Sequence, residues 1–333
     1  MSLPKVIVVC PPSGDPPALG SLRDDAEFLI VRNAEDLRAA QPGVEILFLF
    51  NSVGTDLLRI VGPGDLKWIH TSSIGVDALL TEEVVESDLV VTISRGVCER
   101  PIAEWVLGVL LMFVKDLRRT LEFQADARWA RRDAEPLSGR RVLLLGPGPV
   151  GRETATLLRA AGMIVDVVGR RRRDDPELGP IRSVDQLDEL LPTADDVVLA
   201  LPLTDSTRGI IDARRLGLMR PGARLVNVGR GPLVDEAALL AAARKGDVGA
   251  AALDVFVEEP LPAEHPFWAM DNVLVSPHMS GDVVGWKGLV VERFAANLRR
   301  WRQGLPLVDR VDLRQHGAIA PRLVDQRLLA GGG

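Results

Sequence analysis

The stretch Arg141-Val-Leu-Leu-Leu-Gly-Pro-Gly-Pro-Val-Gly151 decides the fold class of this chain. Its apolar run predicts a buried strand, and the apolar residues that recur at helical spacing over 150–161 predict a helix after it. A glycine-rich loop between a strand and a helix is typical of a dinucleotide pyrophosphate site. In such a loop Gly146 allows the tight turn, Gly148 lets the backbone approach the phosphates, and Gly151 lets helix and strand pack closely.

The same loop predicts where a dinucleotide cofactor is held. Its pyrophosphate would face the N-terminus of the helix, where backbone N–H groups lack helical partners. Pro149 suits the first helical turn but has no N–H, so the loop has one phosphate donor fewer. A plain glycine-rich β–α turn is the alternative that the motif leaves open. The predicted cofactor contacts are Gly146, Gly148, Pro149, Val150 and Gly151.

Short apolar runs alternate with helical patterns along most of the chain, which indicates an α/β fold with parallel sheets. The apolar run of the opening motif predicts a strand over 141–145. The strands predicted after it are 164–168, 197–201, 224–228, 250–253 and 273–275. Before it they are 6–10, 28–31, 46–50 and 89–92, and long helices are predicted over 103–117 and 286–302. The length of 333 residues fits about two domains.

Composition excludes several classes of protein. The chain has 40 basic and 46 acidic residues, a net charge of −6, which argues against a nucleic-acid scaffold. Its two cysteines, Cys10 and Cys98, allow neither a disulfide framework nor a zinc cluster, and no metal site is predicted. The longest apolar run, 105–114, is too short to span a bilayer, and the first residues lack a signal-peptide layout. We therefore expect a cytoplasmic protein without nucleic-acid or membrane partners.

The segment after the second strand of this series indicates which dinucleotide binds. NAD sites usually place an acid about 20 residues past the glycines, to bind the ribose 2′-hydroxyl. Here Gly169 stands 18 residues after Gly151 and four arginines follow it, 170–173. Guanidinium groups suit a 2′-phosphate, so we predict NADPH over NADH, with Gly169, Arg170 and Arg171 as contacts. A solvated run of surface charge is the alternative.

Three further side chains follow predicted strands at the edge where ligands of open parallel sheets bind. His278, one of four histidines, follows the last strand, and Glu259 follows the strand before it. A carboxylate beside an imidazole keeps it protonated and oriented, which suits a general acid. Arg230 stands between two glycines after another strand, and a guanidinium is suited to binding a substrate carboxylate. Ordinary surface roles are the alternatives for all three residues.

Several motifs in order and spacing together resemble the D-isomer-specific 2-hydroxyacid dehydrogenase family. They are the glycine loop, 201–211, 219–231, 253–262 and Ser276-Pro-His278. The resemblance implies that Arg230, Glu259 and His278 are catalytic and that Arg230 and His278 bind the substrate. It also implies cofactor contacts at Leu201, Pro202, Thr207, Val228, Gly229, Asp254 and His278.

In the N-terminal part, Ser72-Ser-Ile-Gly-Val-Asp77 resembles the family loop whose amides receive the substrate carboxylate, which places Ile74 and Gly75 at the substrate. Trp129 matches a tryptophan that some hydroxypyruvate-reducing relatives lend to the neighbouring subunit, although it could instead simply pack at an interface. The substrate's side-chain pocket is expected around Asn51, Arg95 and Trp286.

The resemblance also implies the domain organisation. Residues 1–101 and 287–333 form a flavodoxin-like substrate domain, and 102–286 form a Rossmann NAD(P)-binding domain inserted into it. Both are doubly wound parallel-sheet domains of the α/β class. The apolar helix that starts at Ala103 is expected at the interface of a homodimer.

The predicted function is NADPH-dependent reduction of a small 2-oxo acid, of the glyoxylate or hydroxypyruvate type, to the D-2-hydroxy acid. Hydride transfer is expected with His278 as the general acid, and NAD remains possible as cofactor. One alternative is an NAD-dependent dehydrogenase for a larger D-2-hydroxy acid. The other is a non-catalytic nucleotide-sensing protein with the same fold.

Overall fold

The computed structural model describes residues 3–12, 15–50, 64–79 and 81–313. The chain divides into two units: residues 1–97 with 284–333, and residues 98–283. The end of the predicted C-terminal segment, 314–333, lies outside the described residues. Within the described ranges, no helix is long and apolar enough to cross a membrane.

The first unit contains a five-stranded parallel sheet with the strand order β2-β1-β3-β4-β5. This 2-1-3-4-5 order is that of flavodoxin-like folds. The strands are β1 (Lys5–Val9), β2 (Glu27–Val31), β3 (Ile46–Leu49), β4 (Trp68–Thr71) and β5 (Val90–Ile93). The helices are α1 (Ala34–Ala40), α2 (Glu82–Glu86) and, from the C-terminal part, α9 (Trp286–Arg302), with 3-10 turns at Gly20–Asp24 and Asp77–Leu79.

Both faces of this sheet are buried at β1, β3, β4 and β5, which is why these strands are apolar almost throughout, whereas the edge strand β2 is largely exposed. Phe294 and Leu298 of α9 pack on one face, where the Phe294 ring stacks on Phe48 with ring centroids 4.4 Å apart. Leu37 of α1 packs on the opposite face. The predicted helix over 286–302 has the same bounds as α9.

The second unit contains an eight-stranded sheet with the order β13-β12-β11-β10-β6-β7-β9-β8. All pairs are parallel except β8 with β9. The strands are β6 (Arg141–Leu145), β7 (Ile164–Gly169), β8 (Arg173–Asp175), β9 (Gly179–Ser183), β10 (Asp196–Leu199), β11 (Arg224–Asn227), β12 (Ala250–Leu253) and β13 (Val273–Val275). Without β8, the order of the first six parallel strands is the Rossmann order 3-2-1-4-5-6, and its switch point lies at β6 beside β10. The predicted fold class is confirmed.

The helices of the second unit connect its strands and flank the sheet. They are α3 (Glu99–Val114), α4 (Leu117–Ala125), α5 (Pro149–Ala160), α6 (Leu187–Leu190), α7 (Ala213–Leu218) and α8 (Glu236–Lys245). Short 3-10 turns occur at Val184–Gln186, Leu191–Thr193, Gly231–Leu233 and Pro266–Ala269.

The prediction for the apolar helix over 103–117 was wrong in its bounds, and its expected place at a homodimer interface stays a prediction. The helix α3 runs from Glu99 to Val114, and a left-handed residue, Asp116, separates it from α4. One face of α3 is buried and packs against α5. Trp105 on the other face is half-buried and Gly108 is exposed. All-round apolarity therefore does not mean all-round burial in the single chain.

Three strands were missed by the sequence prediction: β4, β8 and β9. The segment Trp-Ile-His-Thr of β4 contains a histidine but is wholly buried. The β8 strand is a charged edge strand, and β9 begins with Gly179-Pro180 and buries only Ile181. Apolar periodicity cannot detect strands of these kinds, because their pairing comes from neighbours distant in sequence.

Candidate active site

The glycine loop lies at the switch point of the second sheet and is shaped by close backbone contacts. A Cβ on Gly151 would lie 1.8 Å from the Gly146 carbonyl oxygen, and one on Gly146 would lie 2.3 Å from the Ala200 oxygen. Gly146 also has a φ of 118°, which favours glycine. By contrast, no atom lies within 4 Å of a Cβ position on Gly148. The glycine loop therefore packs tightly against the protein at Gly146 and Gly151 and leaves space for a ligand at Gly148.

Gly148 is the N-cap of α5 and Pro149 occupies its first turn. No side chain caps this end, so the first-turn amides of Val150 and Gly151 have no helical acceptor. A helix N-terminus with such amides attracts an anion. Beside the loop, Thr207 Oγ1 donates to the Pro202 carbonyl at 2.8 Å and fixes the turn after Leu201.

The predicted arginine cluster follows β7, of which Gly169 is the last residue. All four side chains, 170–173, are exposed. Among the described residues, none of the four forms a side-chain hydrogen bond or ion pair. By contrast, Arg152 of α5 binds both carboxylate oxygens of Asp175 at 2.8 and 2.5 Å, which anchors the hairpin that follows the cluster. The four arginines thus form a cationic loop that pairs with no carboxylate of the described residues. The ion pair between Arg152 and Asp175 fixes the hairpin next to this loop.

Arg230 stands in a turn that two glycines bring close to neighbouring backbone. A Cβ on Gly231 would lie 1.9 Å from the Phe256 carbonyl carbon, and one on Gly229 would lie 2.8 Å from the Leu201 oxygen. The two glycines are therefore needed for close approach between backbone segments, and neither has a positive φ. Asn227, buried at the end of β11, donates to the Arg230 carbonyl at 2.9 Å and accepts from the Gly229 amide at 3.1 Å.

His278 and Glu259 form a hydrogen-bonded pair. The His278 Nδ1 to Glu259 Oε2 distance is 2.8 Å, and the Phe256 amide donates to Glu259 Oε1 at 2.9 Å. Because an ionised carboxylate only accepts hydrogen bonds, Nδ1 carries a proton and Nε2 is the atom that can exchange one. His278 has a φ of 54°, a conformation that non-glycine residues rarely adopt.

The pair is tuned electrostatically. The hydrogen bond to Glu259 raises the pKa of His278, while burial and the charge of Arg230 act in the opposite direction. Burial would raise the pKa of Glu259, but His278, the Phe256 amide and Arg230 together lower it. Arg230 is thus near enough to act on both groups. The arrangement provides a proton donor at Nε2 next to a cation that can attract an anionic ligand.

Asp254 has a role that sequence reasoning missed. Its carboxylate is buried and accepts from Ser276 Oγ at 2.5 Å, from the Met279 amide at 2.9 Å and from the Ser280 amide at 3.0 Å. These contacts clamp the turn that contains His278. The predicted cofactor contact of Asp254 stays a prediction, as do those of Val228 and Gly229. The only sequence signal for the clamp is an aspartate at a strand end opposite Ser276.

Ile74 and Gly75 lie in the first unit, in the segment after β4. The Gly75 amide donates to Ser73 Oγ at 3.1 Å, and the Ser73 amide donates to Thr71 Oγ1 at 3.1 Å. The Gly75 N–H therefore already points at an oxygen acceptor. In the same unit Arg95 forms an ion pair with Asp309 at 3.5 Å, and Trp286 stacks on Phe50. Asn51 lies outside the described residues.

Trp129 lies in the second unit and is 95% exposed. The segment that carries it is held to α4, because Arg128 lies over the Phe123 ring at 4.6 Å and Arg132 binds Asp116 at 2.9 Å. Trp129 thus projects from an anchored segment.

Comparison with known proteins shows which family this chain matches and which proteins are similar to it. The family described as D-isomer specific 2-hydroxyacid dehydrogenase, NAD binding domain, matches residues 107–280. A glyoxylate reductase from Aeropyrum pernix is 35% identical over 278 residues, which covers 79% of this chain and 78% of that protein.

Two solved structures share the whole architecture. A D-isomer specific 2-hydroxyacid dehydrogenase from Xanthobacter autotrophicus, in complex with NADPH and MES, has a TM-score of 0.77 and 30% identity, covering 93% of this chain and 99% of that one. An NADPH-dependent glyoxylate/hydroxypyruvate reductase from Sinorhizobium meliloti, in complex with NADP and sulfate, has a TM-score of 0.79 and 26% identity. It covers 94% of this chain and 99% of that one.

Proposed function

This chain belongs to the D-isomer-specific 2-hydroxyacid dehydrogenase family of NAD(P)-dependent oxidoreductases, and we propose that it reduces a small 2-oxo acid to the D-2-hydroxy acid with NADPH. Glyoxylate and hydroxypyruvate are the substrates we favour. The observation that carries the proposal is the His278–Glu259 hydrogen bond of 2.8 Å, with Arg230 acting electrostatically on both groups. A histidine with a purely structural role would need neither the hydrogen-bonded Glu259 carboxylate nor the charge of Arg230.

The residues of the second unit fit a dinucleotide. The Gly146–Gly151 contact leaves no room for side chains on the protein side, and Gly148 keeps the outer side open. The amides of Val150 and Gly151 would hold the pyrophosphate, and the exposed arginines after Gly169 would hold a 2′-phosphate. Leu201, Pro202 and Thr207 would lie along the adenine side. When bound, the reduced nicotinamide supplies the hydride and the protein supplies orientation and polarisation.

The protein's own groups would act on the 2-oxo acid as follows. Arg230 would bind the carboxylate and would also polarise the carbonyl, and the substrate contacts of Ile74 and Gly75 in the first unit stay a prediction. His278 would deliver its Nε2 proton to the carbonyl oxygen as the alkoxide develops. Glu259 would hold Nδ1–H and stabilise the imidazolium, and Asp254 would keep the His278 turn in place.

The decisive experiment is an NADPH-oxidation screen over 2-oxo acids of increasing size, repeated with NADH. Turnover that is fastest with glyoxylate or hydroxypyruvate and NADPH would support the proposal. Faster turnover with NADH and a bulky 2-oxo acid would favour the alternative of a dehydrogenase for larger substrates. Tight NADPH binding without oxidation of any acid in the panel would favour the nucleotide-sensing alternative.

The preference for NADPH is expected to depend on the arginine loop. Removing guanidinium groups in the double variant Arg170→Ala, Arg171→Ala should raise the KM for NADPH about 10- to 100-fold, because the loss of one charge-assisted contact to the 2′-phosphate costs about 1.5–3 kcal/mol. The KM for NADH should change little. The measurement is kcat/KM for both cofactors.

A matched control removes two positive charges elsewhere, by Arg244→Ala with Lys245→Ala at the exposed end of α8. Gly169 should be kept, since a Cβ there would lie 3.0 Å from both Ile181 Cγ2 and Pro147 Cγ. If the arginine variant and the control have the same NADPH to NADH ratio, the arginine loop does not select the cofactor.

The pH profile should report the His278–Glu259 pair. Reduction requires protonated His278, so kcat/KM should fall as pH rises through the pKa of His278. Glu259 raises that pKa, so Glu259→Gln should move the falling limb to lower pH. Glu258→Gln, the same change one residue away, is the control and should leave the limb in place. If the falling limb of kcat/KM occurs at the same pH in Glu259→Gln as in wild type, the role assigned to Glu259 is wrong.

We further propose a cytoplasmic homodimer assembled through the half-buried face of α3. The exposed and anchored Trp129 would then contact the neighbouring subunit.

A further inference from the structure

A buried hydrogen-bond chain runs through the core of the first unit beside the proposed substrate loop. His70 on β4 is fully buried, and its two ring nitrogens contact Thr92 Oγ1 at 2.8 Å and Ser94 Oγ at 3.1 Å. Ser94 Oγ contacts the Thr71 carbonyl at 3.1 Å, and Trp68 Nε1 contacts Thr92 Oγ1 at 2.8 Å. All of these polar groups are 0–2% exposed.

The direction of every hydrogen bond in this chain follows from the chemistry of the groups. The Thr71 carbonyl only accepts, so Ser94 uses its one hydroxyl proton there and must accept from His70 Nε2–H. The Trp68 indole only donates, so it donates to Thr92 Oγ1. Burial lowers the pKa of His70 to about 3, so the ring is neutral and carries a single proton. Because that proton is on Nε2, Nδ1 accepts the Thr92 hydroxyl proton, and His70 has a single tautomer.

The chain continues into the loop (residues 72–77) that carries Ile74 and Gly75. Thr71 is bound on both sides: its carbonyl accepts from Ser94, and its hydroxyl accepts from the Ser73 amide at 3.1 Å. Ser73 Oγ then accepts from the Gly75 amide at 3.1 Å. Hydrogen bonds, joined through the residues Thr71 and Ser73, thus connect the core imidazole with the loop as far as Gly75.

We propose that His70 is a positioning residue, which holds the loop 72–77 through Ser94 and Thr71 in the conformation that receives the carboxylate of the 2-oxo acid. The assignment of that ligand rests on the proposed function; the fixing of the loop does not. The polar ring of His70 serves its hydrogen bonds, because the surrounding aromatic rings of Phe48, Trp68 and Phe294 by themselves would suit an apolar side chain.

The first test compares Ser94→Ala with Ile69→Val. Ser94→Ala removes the link between His70 and Thr71, whereas Ile69→Val trims an equally buried residue of β4 that takes no part in the chain. Ser94→Ala loses the hydrogen bond to Thr71 and the one from His70, and because only the first holds the loop directly, we expect the KM for glyoxylate to rise about 3- to 10-fold with kcat nearly unchanged. Ile69→Val should change neither constant.

The second test separates the polar role of His70 from its volume. His70→Phe keeps a ring but leaves the hydroxyls of Thr92 and Ser94 without their partner, so we expect a larger rise in KM than in Ser94→Ala. His70→Gln retains a neutral donor and acceptor and should restore part of the loss. Equal constants in His70→Phe and wild type would overturn the proposal.

Amide hydrogen exchange over 72–77 provides a readout that does not depend on turnover. Exchange should be faster in Ser94→Ala and His70→Phe than in wild type and Ile69→Val. If exchange rises but the wild type reduces no 2-oxo acid, the positioning role stands and the proposed function fails. If exchange in Ser94→Ala equals that of Ile69→Val, His70 is a core residue only and the proposal is wrong.

Discussion

His278→Gln is expected to lower kcat for 2-oxo acid reduction by about 10²- to 10⁴-fold, the usual contribution of a general acid. Glutamine places its amide near the position of Nε2, so it can still donate a hydrogen bond there, although the 2.8 Å contact between Nδ1 and Glu259 is lost. What it cannot supply is a proton from the position of Nε2. The loss should therefore appear in kcat and kcat/KM alike, because the missing interaction is made only in the transition state.

The affinity for NADPH separates this result from misfolding. NADPH titration by fluorescence should give a Kd within about threefold of wild type, because His278 follows β13 whereas the proposed phosphate contacts follow β6 and β7. The control is His265→Asn, which replaces another histidine but keeps an acceptor for the Phe267 amide at the 3-10 turn. Near-normal turnover in His278→Gln would remove His278 from its proposed role.

The strand ends explain why so much of the candidate site could be predicted from sequence. Parallel strands of one sheet share a carboxyl edge, so the residues that follow them in the sequence must gather in space. Glu259 and His278 are 19 residues apart, yet they meet because β12 pairs with β13. Once six of the eight strands are identified, the pairing of these two side chains requires no further information.

Other features could not be predicted because they depend on contacts between distant segments. Nothing local shows that the Gly231 backbone touches Phe256, or that Asp254 accepts from Ser276 and two amides. The β4 strand was missed for the same reason: a histidine breaks its apolar run, and the partners that satisfy it, Thr92 and Ser94, belong to the neighbouring strand and its end. A buried polar residue is recognisable only when its hydrogen-bond partners are known.

Arg230→Gln is expected to lower kcat/KM for glyoxylate by about 10²- to 10³-fold, the typical cost of removing one electrostatic group from an active site. Both the proposed carboxylate contact and carbonyl polarisation would be lost, so KM should rise and kcat should fall. Arg230→Lys retains the charge but not the planar guanidinium group. It should therefore show a smaller rise in KM than Arg230→Gln, whereas its kcat should remain closer to that of Arg230→Gln. Neither change removes the backbone contacts that hold the turn, since Asn227 binds the Arg230 carbonyl.

The pH profile of Arg230→Gln distinguishes a specific effect of Arg230 on His278 from a general loss of structure. Glu259 raises the pKa of His278 and Arg230 lowers it, so removing each partner should shift the profile in opposite directions. The falling limb of kcat/KM should move to higher pH in Arg230→Gln and to lower pH in Glu259→Gln. The control Arg244→Ala removes a guanidinium from α8 and should leave the limb unchanged. A profile that moves the same way in both site variants would mean that Arg230 does not act on His278.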